Sequence, residues 1–103
     1  MSKKKVLVTG SSRGIGNSIL EFFLNDEFIP IGTATSSNGI EMIKKKFSDN
    51  NISGHALDLD LHNTNSIENF FKNMKQEGLS PDILVNNAGI ARDNLMLRMS
   101  EQD

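Results

Sequence analysis

Four short apolar runs alternate with three stretches of helical periodicity, and that alternation restricts the chain more than any other feature. Val6-Leu7-Val8-Thr9 runs apolar without a polar break and stops at Gly10, as a strand buried on both faces does. Ile15, Ile19, Leu20, Phe23 and Leu24 recur at helical spacing, which predicts an amphipathic helix from about Gly14 to Asn25. Phe28-Ile29-Pro30-Ile31-Gly32-Thr33 reads as a second strand. Ile40, Ile43 and Phe47 mark a second helix with Lys44, Lys45 and Lys46 on its wet side. His55-Ala56-Leu57-Asp58 is a short third strand. Ile67, Phe70, Phe71 and Met74 stripe a third helix, with Asn65 as the expected cap and Glu68 returning its bond. Pro81-Asp82 leads into Ile83-Leu84-Val85, a fourth buried strand that Asn86-Asn87-Ala88-Gly89 ends.

The resulting order, β-α-β-α-β-α-β, predicts an α/β fold: a doubly wound parallel sheet with helices on both faces and right-handed crossovers. Pro30 is discordant, because proline cannot donate to a sheet ladder. Either pairing begins after it or the strand is bulged there. A length of 103 residues suits one domain. A net charge of -2 gives no electrostatic case for nucleic acid or an anionic membrane as partner. No apolar run approaches the ~20 residues of a membrane span. The start, Met1-Ser2-Lys3-Lys4-Lys5, precedes too short an apolar stretch for a signal peptide and reads as a solvated lead-in to the first strand. The absence of cysteine excludes disulfides and thiolate metal sites and fits a reducing compartment, so the expected location is the cytoplasm. His55 and His62 have no partners at zinc-ligand spacing, so no metal site is expected.

The turn between the first strand and the first helix reads Thr9-Gly10-Ser11-Ser12-Arg13-Gly14-Ile15-Gly16. Gly10 permits a tight turn, Gly14 lets backbone approach a pyrophosphate, and Gly16 lets the helix pack close to the sheet. The helix N-terminus then presents free N–H groups and the positive end of its dipole to phosphate. The spacing G-x-x-x-G-x-G differs from the usual dinucleotide fingerprint, so the placement between strand and helix carries the weight. An NAD-selective site of this kind puts a carboxylate after the second strand. Here that position reads Thr33-Ala34-Thr35-Ser36-Ser37, with none. Arg13 would then face a ribose 2′-phosphate, with hydroxyls from Thr35 and Ser36. The other reading makes Arg13 a surface arginine and the Thr/Ser run a helix cap. Asp58 and Leu59, after the third strand, would face adenine, Asp58 accepting from its amino group; the alternative is a loop aspartate capping a turn.

Thr9-Gly10-x-x-x-Gly14-Ile15-Gly16 and Asn86-Asn87-Ala88-Gly89, on the right elements and in the right order, resemble the two hallmarks of the classical short-chain dehydrogenase/reductase family. The resemblance covers essentially the whole chain. Ile31-Gly32-Thr33-Ala34-Thr35-Ser36 with Asn38-Gly39, and Asn87-Ala88-Gly89-Ile90-x-Arg92-Asp93-Asn94-Leu95 with Arg98-Met99, are similar to the bacterial 3-oxoacyl-acyl-carrier-protein reductases of fatty acid synthesis. It implies a Rossmann-like fold and NADP as cofactor. Gly10, Ser11, Ser12 and Arg13 would hold the pyrophosphate and 2′-phosphate within the motif completed by Gly14, Ile15 and Gly16. Thr35 would sit beside the adenosine ribose phosphate, and Asp58 and Leu59 would flank adenine. Asn86 would contact the ribose near the nicotinamide, with Ala88 and Gly89 completing that motif, while Asn87 helps lock the sheet. It also implies a substrate carried on acyl carrier protein and a homotetrameric full-length enzyme. Ser11 is a mild variation, and the residues around Leu61-His62-Asn63 look like a small loop insertion.

The family's catalytic serine, its Tyr-x-x-x-Lys pair and a helix asparagine would all fall beyond residue 103, and the chain contains no tyrosine. Residues 1–103 are therefore expected to be the cofactor-binding portion of a single domain, cut before the catalytic half, with no catalytic residue of its own. Ser100-Glu101-Gln102-Asp103 resembles the start of a helix, and the fourth strand would be left as an edge. The competing expectation is a catalytically inactive nucleotide-binding fragment or truncated product.

Overall fold

A computed structural model describes residues 3–87. The elements follow the expected order: β1 (Lys4–Val8), α1 (Gly14–Phe22), β2 (Phe28–Ala34), α2 (Ser37–Asp49), β3 (His55–Asp58), α3 (Thr64–Gln76) and β4 (Ile83–Val85). The strands form one sheet in the order β3-β2-β1-β4, with every pairing parallel. This is the order of a doubly wound sheet, which reverses between β1 and β4.

Strand periodicity divides the core between the two faces. Leu7 and Ile31 point to the side covered by α3, where they meet Ile67, Phe70, Phe71 and Met74, with Leu57 and Leu84 packed alongside. Val6, Val8 and Ala34 point the other way, to Leu20 of α1 and to Ile43 and Phe47 of α2. Strands apolar on both sides are thus strands sandwiched between helices.

Three local expectations shift. Helix α1 ends at Phe22, not Asn25, because the chain tightens into i→i−3 bonds from the N–H groups of Phe23 and Leu24 to Leu20 and Glu21. Asn25 then accepts from the Glu27 N–H (2.9 Å) and turns the chain into β2; Phe23 and Leu24 still pack on the core. Helix α3 begins at Thr64, so its cap falls two residues before Asn65: Asn63 is the cap, and its Oδ1 accepts from the Ser66 N–H at 3.1 Å. Pro30 lies inside β2 and beside Val6 without a bulge. Ala34 directs its carbonyl to Leu59, whereas Thr33 directs its own to Ser11. By the same alternation Pro30 faces the β3 side, and β3 first pairs one residue later, at Ile31. The missing donor therefore falls where there is no ladder to join.

Candidate functional site

The carboxyl ends of β1 and β2 carry a dense knot of hydrogen bonds. The Gly10 N–H donates to Thr33 Oγ1 (3.0 Å), the Thr33 N–H donates to Ser11 Oγ (3.1 Å), and the Ser11 N–H donates to the Thr33 carbonyl (2.9 Å). Ser11 and Thr33 are both fully buried. Gly32 makes room for this arrangement, since a Cβ there would stand 2.6 Å from Ser11 Oγ. On the other side of β1, the Thr9 hydroxyl donates to Asn86 Oδ1 (3.0 Å), and Asn87 Nδ2 donates to the Gly10 carbonyl (3.2 Å). Asn87 thus locks the end of β4 to the glycine turn, as the resemblance implied.

The glycines of the turn act in different ways. Gly16 is buried, and an added Cβ would lie 2.0 Å from the Gly10 carbonyl oxygen and 2.6 Å from Asn87 Nδ2; this is the close helix approach expected of it. Gly14 has φ +63° with nothing within 4 Å of an added Cβ. Its requirement is the left-handed backbone, and the space outside it is open.

Above the ends of β1 and β2 opens a cleft of about 510 Å³. The β1–α1 turn contributes Gly10, Ser12 and Arg13 to its wall, the end of β2 contributes Thr33 to Ser36, and α2 contributes Asn38, Gly39 and Met42. The loop after β3 contributes Leu59, Asp60, Leu61 and His62. Helix α1 has no side-chain cap and no acidic residue in its first turn. By contrast, Ser36 caps α2 through the Gly39 N–H (3.0 Å) and Asn63 caps α3. The unused donors and dipole end of α1 suit an anion. Arg13 is exposed and makes no ion pair among the described residues.

Of the sequence-predicted residues, Gly10, Ser12, Arg13, Thr35 and Leu59 share this cleft. Ser11 does not: its hydroxyl and N–H are spent on Thr33, so it shapes the turn. Ile15 turns away, exposed, into an apolar groove with Gly14, Ile19, Phe22 and Val85. Ser36 is a helix cap, leaving Thr35 as the free hydroxyl beside it. Asp58 lies outside the main cleft, in a smaller groove of about 350 Å³ with Thr35, Ser36 and Lys44. The carboxylate in the cleft belongs to Asp60, which is drawn in by a turn: its N–H donates to Ser66 Oγ (2.8 Å) and its Oδ1 accepts from the His62 N–H (3.0 Å). Asn86 sits at the strand-order reversal, and its Nδ2 is buried with no hydrogen-bond partner among the described residues. Ala88 and Gly89 lie outside the described residues. Sequence reasoning missed Asp60, His62 and Met42 as cleft residues. The signal available was the alternation Leu59-Asp60-Leu61-His62, in which the buried leucines leave the polar residues between them to the surface. No cluster of metal-ligating side chains exists among the described residues, and no described helix is long and apolar enough to cross a membrane.

The short chain dehydrogenase family model matches residues 4–103. The chain belongs to that family. It is 44% identical over 103 residues to the 3-oxoacyl-[acyl-carrier-protein] reductase of Haemophilus influenzae, covering 100% of this chain and 41% of that protein. It is 46% identical over 100 residues to the protein of that name from Vibrio cholerae, covering 97% of this chain and 40% of the relative. The same enzyme of Escherichia coli K12 is 44% identical over 100 residues, again 97% and 40%. The chain therefore spans about two fifths of the length of these curated relatives.

Proposed function

We propose that the cleft binds the adenosine and pyrophosphate portion of NADPH, and that the chain is the cofactor-binding portion of a 3-oxoacyl-acyl-carrier-protein reductase. The observation that carries the cofactor reading is the pairing of Arg13 on the cleft wall with a carboxylate-free end of β2. A carboxylate at that end would accept from a ribose 2′-hydroxyl and repel a 2′-phosphate; arginine does the reverse. The residues present fit the dinucleotide at three further points. The N–H groups of α1 are uncapped. A Cβ at Gly39 would come 2.7 Å from Ala34 Cβ and 3.2 Å from Ser12 Oγ, so glycine lets the first turn of α2 close against the end of β2 and form the cleft wall. The buried, unpartnered Nδ2 of Asn86 is a donor awaiting an acceptor at the strand-order reversal, where such folds place their ligands.

In this reading the bound cofactor supplies a hydride to the ketone carbon of the substrate. Ser12, Arg13 and the α1 N-terminus hold phosphates, Thr35 lies by the adenosine ribose, Leu59 covers adenine, and Asn86 orients the ribose near the nicotinamide. The proton donor lies outside this chain, which has no tyrosine. The substrate class, a 3-oxoacyl group on acyl carrier protein in fatty acid biosynthesis, rests on the names of the relatives, and a cytoplasmic homotetramer is the corresponding whole enzyme. Calorimetric titration of the chain with NADPH and NADH tests the cofactor reading. Tighter binding of NADPH is expected; equal or reversed affinities, or no binding of either, overturn it.

A further inference from the structure

The end of β2, where a dinucleotide's 2′-group is read, lies between two loops. The strand order β3-β2-β1 puts the β1–α1 turn on one flank and the β3–α3 loop on the other. Arg13 stands on the first flank. On the second, the loop after Leu59 brings His62 to the wall of the same cleft. Its position is fixed from both sides. Leu61 is 8% exposed and packed in the core beneath α3, and the His62 N–H is held by Asp60 Oδ1 at 3.0 Å. Its side chain is exposed and unpaired among the described residues. The charged and titratable groups lining the cleft are Arg13, Asp60 and His62 alone among those residues.

We propose that His62 is a specificity-determining residue for the cofactor, facing the 2′-phosphate across the end of β2 from Arg13 and offsetting the carboxylate of Asp60. This rests on the NADPH reading above and deepens it. An imidazole in this place offers the phosphate an N–H donor. Asp60 on the same wall would disfavour a second negative group if nothing opposed it. His62 therefore tunes how strongly the 2′-phosphate is preferred, while the adenine and pyrophosphate contacts, common to both cofactors, are untouched.

The test is a charge series at this one position, read as the ratio of NADPH to NADH affinity in the chain at about 0.15 M salt. His62→Lys is expected to raise that ratio and His62→Glu to lower it, each about twofold to fivefold, the range of an exposed ion pair. His62→Gln should lower it slightly, and NADH affinity should stay constant throughout. Asn65→Lys and Asn65→Glu, outside the cleft, control for long-range charge, which salt screens beyond about 8 Å. A ratio indifferent to all three His62 variants, or moved as much by the Asn65 pair, overturns the proposal while leaving the NADPH reading intact. Wild-type chain that binds neither cofactor, or prefers NADH, overturns both.

Discussion

Gly16→Ala isolates the packing of the cofactor turn. Alanine favours a helix over glycine by about 1 kcal/mol, so propensity alone predicts a stabilised α1. The structure predicts the opposite. The new Cβ would stand 2.0 Å from the Gly10 carbonyl oxygen and 2.6 Å from Asn87 Nδ2. Both are far inside van der Waals contact, and the nearer atom is backbone, so the helix or the turn must move by about an ångström or more. Overpacking of this kind costs ~1–3 kcal/mol. Loss of the Asn87–Gly10 hydrogen bond adds ~0.5–1.5 kcal/mol. Less the propensity gain, the net is a loss of about 1–3 kcal/mol. For a chain of this size each kcal/mol lowers Tm by roughly 4–8 °C. Thermal and urea unfolding of wild type and Gly16→Ala measure it directly. Ser18→Ala, on the exposed side of the same helix, is the control and should stay within ~0.5 kcal/mol. An unchanged or raised Tm for Gly16→Ala would refute the close approach of helix and turn.

Other outcomes follow from the same geometry. Arg13→Ala should weaken NADPH binding by about 1.5–3 kcal/mol, the worth of a hydrogen bond to a charged group, and leave NADH nearly unchanged in paired titrations; retained discrimination would remove Arg13 from the site. Ser11→Ala strands the buried Thr33 N–H and should cost ~1–3 kcal/mol in urea unfolding, with the NADPH to NADH ratio preserved; a selective loss of NADPH would return Ser11 to phosphate binding. Asn63→Ala should cost ~1 kcal/mol as the loss of a helix cap, whereas Asn65→Ala should fall within ~0.5 kcal/mol. The reverse order in thermal melts would restore Asn65 as the cap.

The element order was legible because burial on both faces leaves its mark on every strand. Val6, Leu7 and Val8 must all be apolar when Leu7 faces α3 and its neighbours face α1 and α2. The two family hallmarks meet in the structure, where Asn87 bonds to the Gly10 carbonyl of the glycine turn. The partner of Ser11 was not legible, because a serine in a glycine turn reads the same whether its hydroxyl faces the cleft or the strand; the decision lies with Gly32, whose missing Cβ leaves the space. Asp58 was the acid expected beside the cleft, yet Asp60 is the one on its wall, for a related reason. Asp58 and Asp60 are chemically alike, and which one enters the cleft depends on the turn made by Ser66 and the His62 N–H. Caps were ambiguous wherever several asparagines stand within one helical turn, as at Asn63 and Asn65.

The two strands that frame the strand-order reversal are far apart in the chain. Thr9 to Asn86, Gly10 to Asn87 and Lys5 to Asp82 are each bonded across 77 positions. A ribosome that adds roughly 5–20 residues per second therefore delivers the glycine turn several seconds before its latch. In that interval β1, α1 and β2 can associate, but the carbonyl of Gly10 has no amide from Asn87 to hold it. The latched geometry of the glycine turn is thus among the last local features to mature during synthesis, although its residues are among the first to be made.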